Sequence, residues 1–180
     1  GYGPTYAGYL GRKVVWTARK YMRHYDIGSN NTFAPTSTVY MTINPTWLTP
    51  NRILALSGGG NNWFFSMENN NAGQYSMYTA SGAKRVLTPA GWLTDREWAV
   101  VTLTINSGVS GSLRKNLEAE YSGAIGTVAN GGIYDWGGQS ADMYFACHRS
   151  TELIWRNKID DATTQEAYVR YLAQKVGVAL

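Results

Sequence analysis

Glu118 and Glu120 stand two residues apart. On one strand their carboxylates would share a face roughly 7 Å apart, a separation that suits paired-carboxylate chemistry on a glycosidic bond. Two carboxylates on a solvated strand face explain the pair without catalysis, and that account is favoured. Asp135, Asp142 and His148 lie in the same region of the chain. Hard oxygen ligands for calcium usually crowd into one loop, and no Asp-x-Asp-x-Asp run occurs, so no cofactor is expected. A calcium site assembled from separated loops stays open. The two histidines, His24 and His148, have no G-x-S-x-G partner motif and do not suggest a nucleophilic triad. Gly58, Gly59 and Gly60 are not followed by Gly-Lys-Ser/Thr and read as a turn, not a phosphate loop.

The stronger chemical signal is for recognition. Asn61 and Asn62 precede Trp63, Trp92 follows Gly91, and Tyr134, Asp135 and Trp136 sit among the glycines of 131–138. Aromatic rings cover the apolar C–H faces of sugars while neighbouring amides and carboxylates bond the hydroxyls. Asn61, Asn62, Trp92, Tyr134, Asp135 and Trp136 are therefore the expected ligand-binding residues. Core packing is the competing account of the tryptophans. It fits Trp63, which alternates with Phe65 and Met67, better than Trp136, which is surrounded by glycines.

Positive charge is concentrated in one place. Arg12, Lys13, Arg19, Lys20 and Arg23 include no acid among them, while the whole chain carries a net charge of only +4. A basic stripe across the fold, which a nucleic-acid partner would need, is not indicated. The segment reads either as an amphipathic helix over 14–25, fit to dock on a partner or membrane, or as an edge strand whose cations discourage further pairing. The edge-strand reading is favoured.

The elements that would position these groups are mostly strands. Val39, Met41 and Ile43 alternate with Thr38, Tyr40 and Thr42, predicting one buried and one wetter face. Residues 53–56 form a short apolar run, 63–67 and 75–77 read as a hairpin, and 98–105 is the most regular strand of all. Leu117, Ala119 and Tyr121 continue a strand over 113–121 that carries Glu118 and Glu120 on its other face. Met143, Phe145 and Cys147 alternate over 142–148, which marks Cys147 as a buried thiol. Thr163 and Glu166 make a capping-box pattern ahead of Tyr168, Val169, Leu172 and Val176, with Lys175 in the last turn and Gly177 as the stop, predicting a C-terminal helix.

The 180 residues suit one domain, with 20 glycines, 13 tyrosines and 7 tryptophans but only 16% charged residues. Such a composition favours strands joined by turns. The single cysteine excludes an internal disulfide and a thiolate zinc cluster. No stretch of about 18 apolar residues is present, so no membrane-spanning helix is expected. Short strands at regular spacing, without alternating helices, predict an all-β, two-sheet antiparallel β-sandwich, a jelly roll with a short C-terminal α-helix. Residues 1–30 are read as a basic segment, edge strand or docking arm, and 31–180 as the sandwich.

The order of these pieces resembles the concanavalin A-like and laminin-G-like jelly-roll superfamily. The matching runs are S-T-V-Y-M-T-I-N-P at 37–45, R-I-L-A-L-S-G-G-G at 52–60, W-F-F-S-M-E at 63–68, W-A-V-V-T-L-T-I at 98–105 and T-T-Q-E-A-Y-V-R-Y-L-A-Q-K-V-G-V at 163–178. The usual Asn-Gly hairpin after the long strand is missing, since Leu117 follows Asn116. Glucanases of this kind carry a Glu-x-Asp-x-x-Glu run, where this chain has Glu120 in place of the Asp and Gly123 in place of the last acid. The resemblance implies a lectin, an adhesive module, or a decoration or fibre protein of a bacteriophage virion. A non-enzymatic module that binds a glycan or another surface protein is the expected function, extracellular or on a virion and open to homo-oligomerisation. A glycan-cleaving enzyme is the minority alternative.

Overall fold

The computed structural model describes residues 5–9, 12–16, 22–25, 36–45, 51–57, 63–69, 74–78, 85–127, 133–136, 148–150 and 152–180, with side chains described at 36–45, 74–77, 86–127 and 152–180. In chain order the described strands are β1 (Thr5–Tyr9), β2 (Arg12–Trp16), β3 (Met22–Tyr25), β4 (Thr36–Pro45), β5 (Asn51–Ser57), β6 (Trp63–Asn69) and β7 (Tyr75–Tyr78). They continue as β8 (Arg85–Leu87), β9 (Ala99–Asn106), β10 (Ser110–Lys115), β11 (Glu120–Gly123), β12 (Ile133–Trp136), β13 (His148–Ser150) and β14 (Leu153–Arg156), before the helix α1 (Ala162–Val176).

Two antiparallel sheets result, as the strand rhythm predicts. One runs β1-β2-β13-β4-β9-β10-β11 with β14 also on β4, and the other runs β3-β12-β5-β6-β7-β8. Their meeting faces follow from period-two alternation. In the β4–β9 ladder Val39 opposes Leu103, Met41 opposes Val101 and Ile43 opposes Ala99. These residues form one core cluster with Leu113 of β10, Tyr75 and Met77 of β7 and Val86 of β8. The sheets approach closely at Gly111, where an added Cβ would lie 2.7 Å from Met77 Sδ and 3.1 Å from Ile125 Cγ2.

The other face of β4 is also dry, contrary to the expectation of a wetter side. Thr38, Tyr40 and Thr42 are fully buried, because α1 packs over that face, Lys158 and Asp160 reach Thr38 and Tyr40, and β14 pairs along the edge of β4. Val169, Leu172 and Ala173 of α1 pack on Tyr40 and Val100. The polar atoms are satisfied by the covering chain: Thr42 N donates to the Glu152 carbonyl, Glu152 N to Thr42 Oγ1, and Asp160 N to Thr38 Oγ1. Tyr40 OH donates to Asp160 Oδ2 at 2.9 Å, and the Arg156 guanidinium lies 3.3 Å from the same oxygen. Arg149 pairs with Asn44 and Leu153 with Met41, so β13 and β14 both pair along one edge of β4.

The helix is present, but its start differs from the predicted capping box. Asp161 is the N-cap, with extended backbone and a carboxylate that accepts from Thr164 N at 2.7 Å. That hydrogen bond holds the Asp161 carboxyl below its ordinary range. Thr163 is already inside the first turn, and Glu166 pairs forward with Arg170 at 2.6 Å instead of reaching back. Gly177 ends the helix at φ 76, its N–H returning to the Ala173 carbonyl.

Candidate functional site

The loop before β9 is shaped by tight backbone bonding. Arg96 has φ 61, a left-handed conformation that is unfavourable for a side-chain-bearing residue. It is held there from both sides: its N–H donates to the Pro45 carbonyl, and its carbonyl accepts from Asn44 Nδ2 at 2.9 Å. Asn44 is buried at the end of β4. The next two residues, Glu97 and Trp98, are thereby fixed at the start of β9.

Opposite stands the β10–β11 hairpin. Asn116, at φ 51, supports its turn; its N–H donates to the Val100 carbonyl at 2.7 Å, and its Oδ1 accepts from Val100 N–H at 2.9 Å. One asparagine thus completes both bonds of a ladder position while its backbone turns away. Arg114 secures the same turn by donating to the carbonyls of Leu117 and Glu118. Lys115 Nζ lies 3.0 Å from Glu118 Oε1.

Between these walls, and closed on a third side by the end of α1 and residues 177–179, is a cleft of about 420 Å³. Glu97, partly buried Trp98, Lys115, Asn116 and Glu118 line it. Arg96 and Asn116 are the two non-glycine residues with positive φ among the described residues; Asn116 lines this cleft, and Arg96 immediately precedes the lining residues Glu97 and Trp98. Unfavourable backbone held in place by its surroundings concentrates at functional sites. The helix C-terminus adds partial negative charge to the wall. The arrangement offers an indole face, carboxylate acceptors, an ammonium donor and an amide around one concavity.

A second, more apolar cleft of about 640 Å³ lies between α1 and β14, lined by Ile154, Ala167, Tyr168 and Tyr171. Lys175 contacts two of its lining residues, with Nζ 2.6 Å from Glu152 Oε2 and 4.4 Å from the Tyr171 ring centroid. Hydrogen bonds to Glu152 and Tyr171 raise the Lys175 ammonium above its ordinary pKa.

The expected ligand-binding residues are not gathered in either cleft. Trp92 is a correction: it is 5% exposed and packs in the core edge-on to Tyr75, with ring centroids 5.5 Å apart. The loop after Gly91 folds its ring inward, so Trp92 offers no exposed platform. Tyr134, Asp135 and Trp136 form part of β12, paired with both β3 and β5, and do not lie in a glycine-rich loop. Asn61 and Asn62 lie outside the described residues. The single strand over 113–121 is also corrected. Left-handed Asn116 breaks it into β10 and β11, placing Glu118 in the turn and Glu120 at the start of β11. The two carboxylates therefore do not share one strand face.

The basic residues are divided by the backbone. Arg12 and Lys13 belong to β2, whereas Arg23 belongs to β3 in the other sheet, where Asp135 is its register partner. Arg19, Lys20 and Cys147, with the predicted alternation at 142–147, lie outside the described residues. Among the described residues there is no cluster of three metal-ligating side chains, and no helix is long and apolar enough to cross a membrane.

No protein-family model matches the chain, and none of the curated proteins matches it by sequence. Solved structures do match by shape. Trypanosoma rangeli sialidase in complex with sialic acid has a TM-score of 0.69 at 14% identity, over 97% of this chain and 30% of the sialidase. The botulinum neurotoxin serotype D ligand-binding domain in complex with N-acetylneuraminic acid gives 0.65 at 11% identity, over 88% and 42%. The receptor-binding domain of the botulinum neurotoxin C/D mosaic serotype gives 0.68 at 11%, over 95% and 47%. The chain thus spans less than half the length of each. At such identities the likeness is one of fold: a two-sheet β-sandwich.

Proposed function

We propose that this chain is a non-enzymatic glycan-binding module whose ligand enters the cleft beside Trp98. The observation that carries the reading is the coincidence at one concavity of a partly buried tryptophan, flanking carboxylates and an amide, and the two left-handed residues that fix the walls. Indole stacking on a sugar ring, with hydroxyls donating to carboxylates, is the chemistry this arrangement suits. The fold is shared with proteins solved in complex with sialic acids, which supports a saccharide as the ligand class. Binding is favoured over hydrolysis because Glu118 is engaged by Lys115 and Glu120 belongs to a different element.

The test is binding of the purified protein to a glycan array, repeated with Trp98→Ala. Retention of a defined set of glycans by the native protein, lost in the variant with its circular dichroism unchanged, is the expected result. Silence across the array would overturn the proposal and favour a protein partner, as in a virion or other assembly.

A further inference from the structure

The charge of the same cleft narrows the ligand class, an inference that rests on the glycan-binding reading. Of the ionisable groups lining it, Lys115 is engaged by Glu118 at 3.0 Å. The carboxylate of Glu97, exposed at the rim, forms no ion pair among the described residues. The third wall is the C-terminal end of α1, where backbone carbonyls concentrate partial negative charge. Both non-glycine left-handed residues hold these acceptors in place: Arg96 immediately precedes Glu97, and Asn116 lies in the turn with Glu118.

Carboxylates and carbonyls can only accept hydrogen bonds. A neutral sugar meets them with hydroxyl donors at no electrostatic cost. An acidic sugar brings a second carboxylate toward Glu97 and the helix end, and like charges a few ångströms apart repel even in a watery cleft. Lys115, the one cation lining the cleft, is already matched by Glu118, and the neighbouring Arg96 is paired with Asp95. We infer that the cleft takes uncharged glycans and rejects acidic ones, so that it differs in ligand class from the fold's sialic-acid-bound neighbours.

The experiment uses pairs of oligosaccharides identical except for a terminal sialic acid, printed at equal density, with native protein, Trp98→Ala and Glu97→Gln. The native protein is expected to favour the unsialylated member by about tenfold or more, equivalent to ~1.4 kcal/mol. Glu97→Gln, an exposed and nearly isosteric change, is expected to shrink that preference at least threefold and to make it less sensitive to salt. Trp98→Ala is expected to lose both members. Equal or stronger retention of sialylated members by the native protein would overturn the inference and leave glycan binding standing. A preference that Glu97→Gln does not change would overturn the role given to Glu97. Binding to no pair would overturn this inference and the proposed function together.

Discussion

Asn44 holds Arg96 across 52 residues of sequence, through a 2.9 Å hydrogen bond from its amide to the Arg96 carbonyl. The bond joins the buried end of β4 to the rim of the cleft. Asn44→Ala is expected to cost about 1–2 kcal/mol in chemical denaturation, since the hydrogen bond that ties the buried end of β4 to the Arg96 carbonyl is lost. It should also weaken glycan retention with the fold intact, because residues 97 and 98 lose their fixed approach. Arg96→Gly should gain about 0.5–1 kcal/mol by removing the left-handed penalty. A loss of stability in Arg96→Gly would show that the arginine side chain matters more than the backbone it strains.

The two tryptophans on either side of this loop should behave oppositely. Trp92→Ala removes a core ring and is expected to destabilise the protein by about 3–5 kcal/mol. Trp98 is only half-buried, and Trp98→Ala should cost about 1–2 kcal/mol while abolishing binding. Equilibrium unfolding and array binding, measured on both variants, check the contrast.

Asp160 is a fully buried carboxylate that meets Tyr40 and Arg156. Asp160→Asn should cost about 2–4 kcal/mol by leaving Arg156 without its counter-charge. Tyr40→Phe should cost about 1–2 kcal/mol. Since both act on one hydrogen-bonded network, the double variant should fall short of the sum, and a double-mutant cycle in urea measures the difference.

Burial, followed by the hydrogen bond to Asp160, keeps the Tyr40 phenol well above its ordinary pKa of 10.0, and burial does the same for Tyr75. Both folded values lie above the unfolded one. Above about pH 10 the unfolded chain therefore releases protons that the folded protein retains, and stability falls as pH rises. Below that pH this contribution is complete. Titration at 295 nm should show at least two tyrosines that ionise only as the protein unfolds.

Gly111 should not tolerate a side chain. Gly111→Ala places a methyl group against Met77 and Ile125 at the contact between the sheets. The expected cost is about 1–3 kcal/mol, with any smaller value meaning that Met77 swings aside. Thermal unfolding of Gly111→Ala alone and with a shortened residue at 77 separates these outcomes.

Strands with strong alternation were legible from residues alone: 39–43 and 98–105 became β4 and β9, and Gly177 stopped the helix as expected. What failed depended on tertiary covering. Thr38, Tyr40 and Thr42 read as a wetter face because nothing local announces that α1 will cover them and that Glu152, Lys158 and Asp160 will bond them. The alternation through Leu113 and Tyr121 hid a turn, since Asn116 adopts the left-handed region without a glycine beside it. Trp92 read as displayed because a glycine precedes it, and only the folded loop sends its ring inward. Trp98 read simply as the start of a strand. Its place in a cleft depends on a helix end almost 80 residues away, which no local pattern carries.

Strand β4 waits for its cover. Thr42 is completed by Glu152, Tyr40 by Asp160 and Thr38 by the backbone of Asp160, partners 110 to 122 residues downstream. While a ribosome is still making the intervening chain, the outer side of this central strand has none of those partners. The sandwich therefore reaches its final form only after residues 152–176 have been made, and a nascent chain stalled before residue 152 would present Tyr40 and Val100 to chaperones as a sticky, half-finished surface.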